Sequence, residues 1–202
     1  MAHLLFALLL ATAPKEHEPL VDVAPLIPEL KVDLRYATDD NFMKVRVYPA
    51  DARCLLLPLA ASRLVAAAKV FKSKGLRLKV WDCYRPLSVQ FQMWKVFPRR
   101  GYVADPNQGG SHHNRGAAID LTLATEAGEE LEMPTGFDSF TRAAHHWLSD
   151  GMTKAALENR ALLLQVMEAA GFKRNPMEWW HYELPEAANF VVRDDPFVPV
   201  TR

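Results

Sequence analysis

The chain lacks a C-x-x-C pair, a glycine-rich phosphate loop behind any strand-like run, an internal repeat and a low-complexity tract. The first absence argues against a thiol redox motif or a cysteine-ligated zinc, and the second against a nucleotide-binding fold. Net charge is missing as well. Lys+Arg 24 against Asp+Glu 24 leaves a formal charge of zero, so nothing marks the chain for nucleic acid or an anionic membrane surface. Long apolar runs are also absent: residues 4–10 form one too short to span a bilayer, and no other stretch is longer, which predicts no stable membrane insertion. A small molecule is the partner these absences leave.

What is present begins with that short run. It precedes Ala11-Thr12-Ala13, which has the small-x-small form of a signal-peptidase site, although only the amino terminus and His3 stand before it as a basic region. The reading is a signal peptide and leader over residues 1–18 and a single domain over residues 19–202; the alternative is a short N-terminal helix lying on the domain. Half of the residues are hydrophobic, ample for one core. Export to the periplasm or the medium would let Cys54 and Cys83 form one disulfide, contributing on the order of 3 kcal/mol in the loop-entropy model. Two buried free thiols are the alternative.

Alternation predicts strands over residues 30–36, 76–83, 117–123 and 179–184. Apolar residues at helical spacing predict helices over 58–74, 86–97 and 153–170, with Gly75 and Gly171 as stops and Pro86 opening the second. Asp138 or Ser139 could cap a further short helix through Leu148. Residues 172–176 read as a turn, and the tail from Pro185 as an extended wrap. Without a regular βαβ rhythm, the expected class is α+β: a small, mainly antiparallel sheet with helices packed to one side.

Two stretches carry chemistry: S-H-H-N-R-G-A-A-I-D-L at 111–121 and E-W-W-H-Y-E at 178–183. Asp120 lies mid-strand among apolar neighbours, a costly place for a carboxylate unless a cation pairs with it. A hydrolytic zinc takes three protein ligands and leaves a fourth position open, and His113, Asp120 and His181 would make that set. Spacing alone does not choose between His112 and His113, and Asp120 could instead pair with a lysine or arginine. Glu178 would be the base that activates water. A plain strand puts residues three apart on opposite faces, so convergence of Glu178 and His181 needs a turn or bulge near Trp179. Arg85, on a strand-to-helix turn, offers a planar fork of donors for an oxyanion; its alternative is an ordinary surface or ion-pairing arginine.

Taken together, D-L-R-Y-A-T at 33–38 with Asn41-Phe42, Y-R-P at 84–86, S-x-H-x-R-G-x-A-I-D-L-T at 111–122 and E-W-W-H-Y at 178–182 resemble the zinc D-alanyl-D-alanine dipeptidases of the vancomycin-resistance type. That family belongs to the D,D-peptidases, which share a fold with the hedgehog signalling domain. The resemblance implies one zinc ion on His113, Asp120 and His181, which decides against His112. It also implies Glu178 as catalytic base and acid, and Arg85 as the group that steadies the tetrahedral intermediate. Ser111 matches a serine that helps hold the substrate's ammonium group. Asp138, in M-P-T-G-F-D, matches an aspartate with the same task, although Pro134 departs from the family's M-G-T-x-F-D and an N-cap role is the alternative. The expectation is a zinc dipeptidase hydrolysing D-alanyl-D-alanine. The competing readings are a D,D-carboxypeptidase acting on peptidoglycan stems and a zinc-stabilised binding module without turnover. Resistance-type members act in the cytoplasm, whereas the leader here suggests export and a nutritional or recycling role.

Overall fold

The computed structural model describes residues 18–197, so the signal-peptide reading lies outside the described residues. Five strands form the main sheet: β2 (Lys31–Val32), β4 (Leu76–Asp82), β5 (Ala118–Thr125), β6 (Lys173–Asn175) and β7 (Glu178–Glu183), in the order β2-β4-β5-β7-β6. Only β2 and β4 run parallel; the other pairs are antiparallel. Two-residue strands β1 (Val21–Asp22) and β3 (Leu55–Leu56) pair separately. The class is α+β, as the alternation of helix and strand periods indicated.

Helix α1 (Pro58–Lys72) buries Ala60, Ala61, Leu64, Ala67, Ala68 and Phe71, a stripe at helical spacing. Helix α3 (Lys154–Ala169) starts where Thr153 Oγ1 accepts from the Ala156 N–H at 3.1 Å, and buries Ala156, Leu163, Val166 and Met167. Both cover the apolar face of the sheet, where Leu78, Val80, Ile119, Leu121 and Leu123 complete the core. Helix α2 (Leu87–Val96) instead gives Val89 and Met93 to a second cluster with Tyr36, Tyr48 and Val103. Among the described residues no helix is long and apolar enough to cross a membrane.

Cys54 and Cys83 are joined in a disulfide with 29 residues of separation, and both are buried. Closing a loop of that length contributes about 3–4 kcal/mol in the chain-entropy model.

Three expectations need correction. Strand structure over 30–36 is confined to β2, because Asn41 Nδ2 donates to the carbonyls of Arg35, Thr38 and Val45 and draws the following chain into a 3-10 turn at Arg35–Ala37. The helix expected from Asp138 or Ser139 through Leu148 is only a 3-10 turn at Arg142–Ala144; Asp138 has φ 56, and its carboxylate serves Tyr36 and Phe42 rather than a helix end. Part of the expected turn at 172–176 is strand β6, paired with β7. The tail from Pro185 first makes a 3-10 turn at Ala187–Asn189 and runs extended only after Phe190, with the Arg193 N–H on the Asn114 carbonyl at 2.8 Å and Phe197 against Tyr48.

Candidate metal centre and active site

The site is built where β4, β5 and β7 lie side by side. Cross-strand register pairs Asp120 with His181 and Ala118 with Glu183, so these four residues share the face opposite Ile119 and Leu121. A bulge in β4 between Val80 and Asp82 pairs Val80 with Leu121 but Asp82 with Asp120. One extra residue thereby puts Asp82 on the Asp120 side of the sheet, where it bonds Arg85, while Val80 stays in the core.

His113 arrives on the 3-10 turn His112–Arg115. Ser111 caps that turn, its Oγ accepting from the His113 N–H at 3.2 Å while Asn114 Oδ1 accepts from the Ser111 N–H at 2.6 Å. The turn ends at Gly116, φ 67, a left-handed position that favours glycine and where a Cβ would push on the Leu20 methyl 2.5 Å away. Asn114 Nδ2 donates to the Arg85 carbonyl and the Arg85 N–H donates to that of His113, which ties the two functional segments together.

Three ligand atoms converge. His113 Nε2 lies 3.1 Å from His181 Nδ1 and 3.3 Å from Asp120 Oδ1, and His181 Nδ1 is 3.0 Å from the same oxygen. Ligands about 2.0–2.1 Å from a tetrahedral metal stand roughly 3.3 Å apart, so the spacing suits a first-row cation. The hydrogen bonds agree. His113 Nδ1 faces the Cys83 carbonyl at 2.7 Å and His181 Nε2 faces Glu183 Oε2 at 3.3 Å, so in the neutral rings both outer nitrogens carry the proton and both inner ones present lone pairs. Two bare imidazole nitrogens and a carboxylate oxygen crowded together repel one another unless a cation lies among them. Burial opposes a charge on His181, yet hydrogen bonds to Asp120 and Glu183 outweigh it and push the ring up to about 10, so a proton on Nδ1 and a metal ion compete for the same place among the donors. Burial likewise opposes a charge on Asp120, but His113 and His181 hold it well below the usual carboxylate range.

Glu178 sits beside this set, its Oε2 3.9 Å from His181 Nδ1. Register slips between Arg174 and Asn175, pairing Arg174 with Tyr182 but Asn175 with Glu178, and this irregularity brings residues three apart to one cavity. Asn175 Nδ2 donates to Glu178 Oε2 at 2.9 Å. Burial pushes the Glu178 carboxyl up to about 8, with Asp120 and Asp138 adding to the shift and His181 and Arg85 opposing it.

Arg85 is buried under the opposite rim. Its Nε and Nη2 bond to Asp82 Oδ2 at 3.0 and 2.5 Å, Nη1 bonds to Gln90 Oε1 at 2.8 Å, and the guanidinium lies 5.3 Å from the Tyr36 ring centroid. Those bonds use three of its five N–H donors, and Arg85 is among the residues that line the cavity. Asp138 is held by Tyr36 Oη, 3.1 Å from both its oxygens, and by the Phe42 N–H at 3.3 Å. Burial, and next the negative charge of Asp120, push its carboxyl up to about 7. Ser111, His113, Asp120, Glu178, His181, Arg85 and Asp138 all line one cavity of about 210 Å³.

Asp82 and Gln90, which aim Arg85, escaped the sequence reading. Asp82 leaves a trace, an acid three before Arg85 at the end of an alternating strand; Gln90 leaves none.

Two histidines and an aspartate that could hold a metal ion, buried beside a carboxylic acid and a guanidinium, suit a metal-dependent hydrolase. The chain belongs to the D-Ala-D-Ala dipeptidase family, whose model matches residues 16–201. It is 40% identical over 178 residues to a D-alanyl-D-alanine dipeptidase of Escherichia coli (strain K12), covering 88% of this chain and 91% of the relative. Over 196 residues it is 32% identical to one of Enterococcus faecium, covering 85% and 90%. A Streptomyces coelicolor dipeptidase of the same name is 32% identical over 194 residues, covering 81% and 90%.

Proposed function

We propose that this chain is a zinc dipeptidase that hydrolyses D-alanyl-D-alanine to two D-alanines. The observation that carries this reading is the meeting of His113, Asp120 and His181 at 3.0–3.3 Å beside Glu178 and Arg85 in one cavity. His113, Asp120 and His181 would hold the zinc, which would supply Lewis acidity toward the scissile carbonyl and water. Glu178 takes a proton from that water and returns it to the leaving amine, a role that suits a carboxyl raised by burial. Arg85 offers its remaining N–H donors to the oxyanion. Ser111 and Asp138 receive the substrate's ammonium group, Asp138 being positioned for this by Tyr36 and Phe42.

The ammonium contact, more than the volume of about 210 Å³ of a cavity that opens to solvent, favours the free dipeptide over a peptidoglycan stem. An ammonium-binding Asp138 leaves an N-acyl group without a partner. The expected result is that N-acetyl-D-Ala-D-Ala is cleaved at least 10²-fold less efficiently in kcat/KM than D-Ala-D-Ala, roughly the cost of removing one charged hydrogen-bonded contact. Equal or better cleavage of the acylated compound would reverse the choice in favour of a D,D-carboxypeptidase.

We place the protein in the periplasm or outside the cell, with dipeptide scavenging or wall recycling as its task. Support comes from the Cys54–Cys83 disulfide, a bond that persists in oxidising compartments, and from the signal-like residues 4–13. N-terminal sequencing of protein from its own cell should begin after Ala13; an intact Met1 or Ala2 refutes export.

A further inference from the structure

We propose that Glu183 is a positioning residue for the metal site: its carboxylate, braced by His112, holds the outer nitrogen of His181 so that the inner nitrogen faces the metal. The proposal rests on the metal reading of His113, Asp120 and His181.

Local geometry puts Glu183 in place. It follows His181 by two residues on β7, so both side chains leave the same face of the strand. Its cross-strand neighbours are Ala118 on β5 and Lys173 on β6. Ala118 is small and leaves the carboxylate space to lie along the His181 ring, while Lys173 Nζ stands 3.6 Å from Oε1. The other oxygen, Oε2, is shared: His181 Nε2 lies at 3.3 Å and His112 Nδ1 at 2.7 Å. His112 therefore faces the carboxylate rather than the donor set, although it adjoins His113 in sequence.

A strand carboxylate shared by two imidazoles does two things. Accepting from His181 Nε2–H, it selects the tautomer whose lone pair is on Nδ1, the atom that meets His113 and Asp120. Accepting from His112 Nδ1–H as well, it loses the freedom to rotate away. His113 has a fixed counterpart in the Cys83 carbonyl at 2.7 Å, a backbone atom that needs no brace. Glu183 is a side chain, and His112 supplies the restraint that the backbone supplies on the other side.

The test is zinc affinity measured by chelator competition on the full chain, with the melting temperature of the chelated protein as a control for folding. Glu183→Ala is expected to bind zinc about 10–100-fold more weakly, as removal of outer-sphere partners does, with the chelated melting temperature unchanged. Glu183→Gln, whose amide oxygen accepts the same hydrogen bond, should recover most of that loss and serves if the alanine variant fails to fold. His112→Ala should weaken zinc several-fold in the wild-type background and not at all in Glu183→Ala, because the brace has nothing left to hold. Wild-type affinity in Glu183→Ala overturns the proposal, as does an additive double variant. Failure of the wild-type chain to bind zinc overturns the metal reading itself, and this proposal with it.

Discussion

Replacing Glu178 by glutamine is expected to lower kcat on D-Ala-D-Ala by about 10²–10⁴-fold, the usual share of a positioned acid-base group, with KM little changed. Glutamine keeps the shape and an oxygen for the Asn175 Nδ2–H, so the loop between β6 and β7 keeps its anchor. The donor set is untouched, and zinc affinity should stay within a few-fold of wild type. Stability gives a second readout. The Glu178 carboxyl is pushed up to about 8 by burial, above its ordinary 4.5, so the fold favours its neutral form. The contribution of such a group is fully present below pH 4.5 and is lost as pH rises to about 8. Glutamine stays neutral throughout, so the chelated variant should melt above the chelated wild type at pH 8 and level with it at pH 4. Near-normal turnover in the glutamine variant would remove Glu178 from the chemistry.

How much of this was open to a reader of the sequence depended on whether a signal was local. Helices α1 and α3 were legible because their apolar stripes repeat over four turns, and β4 and β5 because they alternate against a buried face. The residues around the cavity stood out as motifs, but motifs carry no register. Two irregularities decide the site: the bulge that turns Asp82 toward Asp120, and the slip that turns Glu178 toward His181. Asn175, three residues before Glu178 across that slip, looks like an ordinary turn residue until the two are paired. Residues 30–36 failed as a strand for a related reason. Their alternation is real, but side-chain hydrogen bonds from Asn41 offered the backbone a competing loop. For Asp138 the residue type alone left a helix cap open beside the substrate-binding role that the resemblance implies, because its partners lie 102 and 96 residues away in sequence.

Substituting Arg85 by methionine should damage activity and fold together, and the two effects can be pulled apart. Losing its donors to the oxyanion is expected to lower kcat by about 10²–10³-fold, the cost of removing an oxyanion contact. Losing the guanidinium also strands Asp82, which is fully buried and keeps hydrogen bonds from Tyr48 Oη at 2.8 Å and the Cys83 N–H at 2.9 Å, with His113 Nδ1 3.8 Å away. Leaving one member of a buried pair alone costs about 3–5 kcal/mol. Lysine is no substitute, since one ammonium on a flexible stem cannot serve Asp82, Gln90 and the pocket at once. The separating variant is Arg85→Met with Asp82→Asn, in which no buried charge is left unpaired. Its melting temperature should recover most of the loss while turnover stays as low as in Arg85→Met. Recovery of both would mean that Arg85 acts only by neutralising Asp82, and that the oxyanion is stabilised from the metal side alone. Recovery of neither would point to the Gln90 and Tyr36 contacts as the larger part of what Arg85 does for the fold.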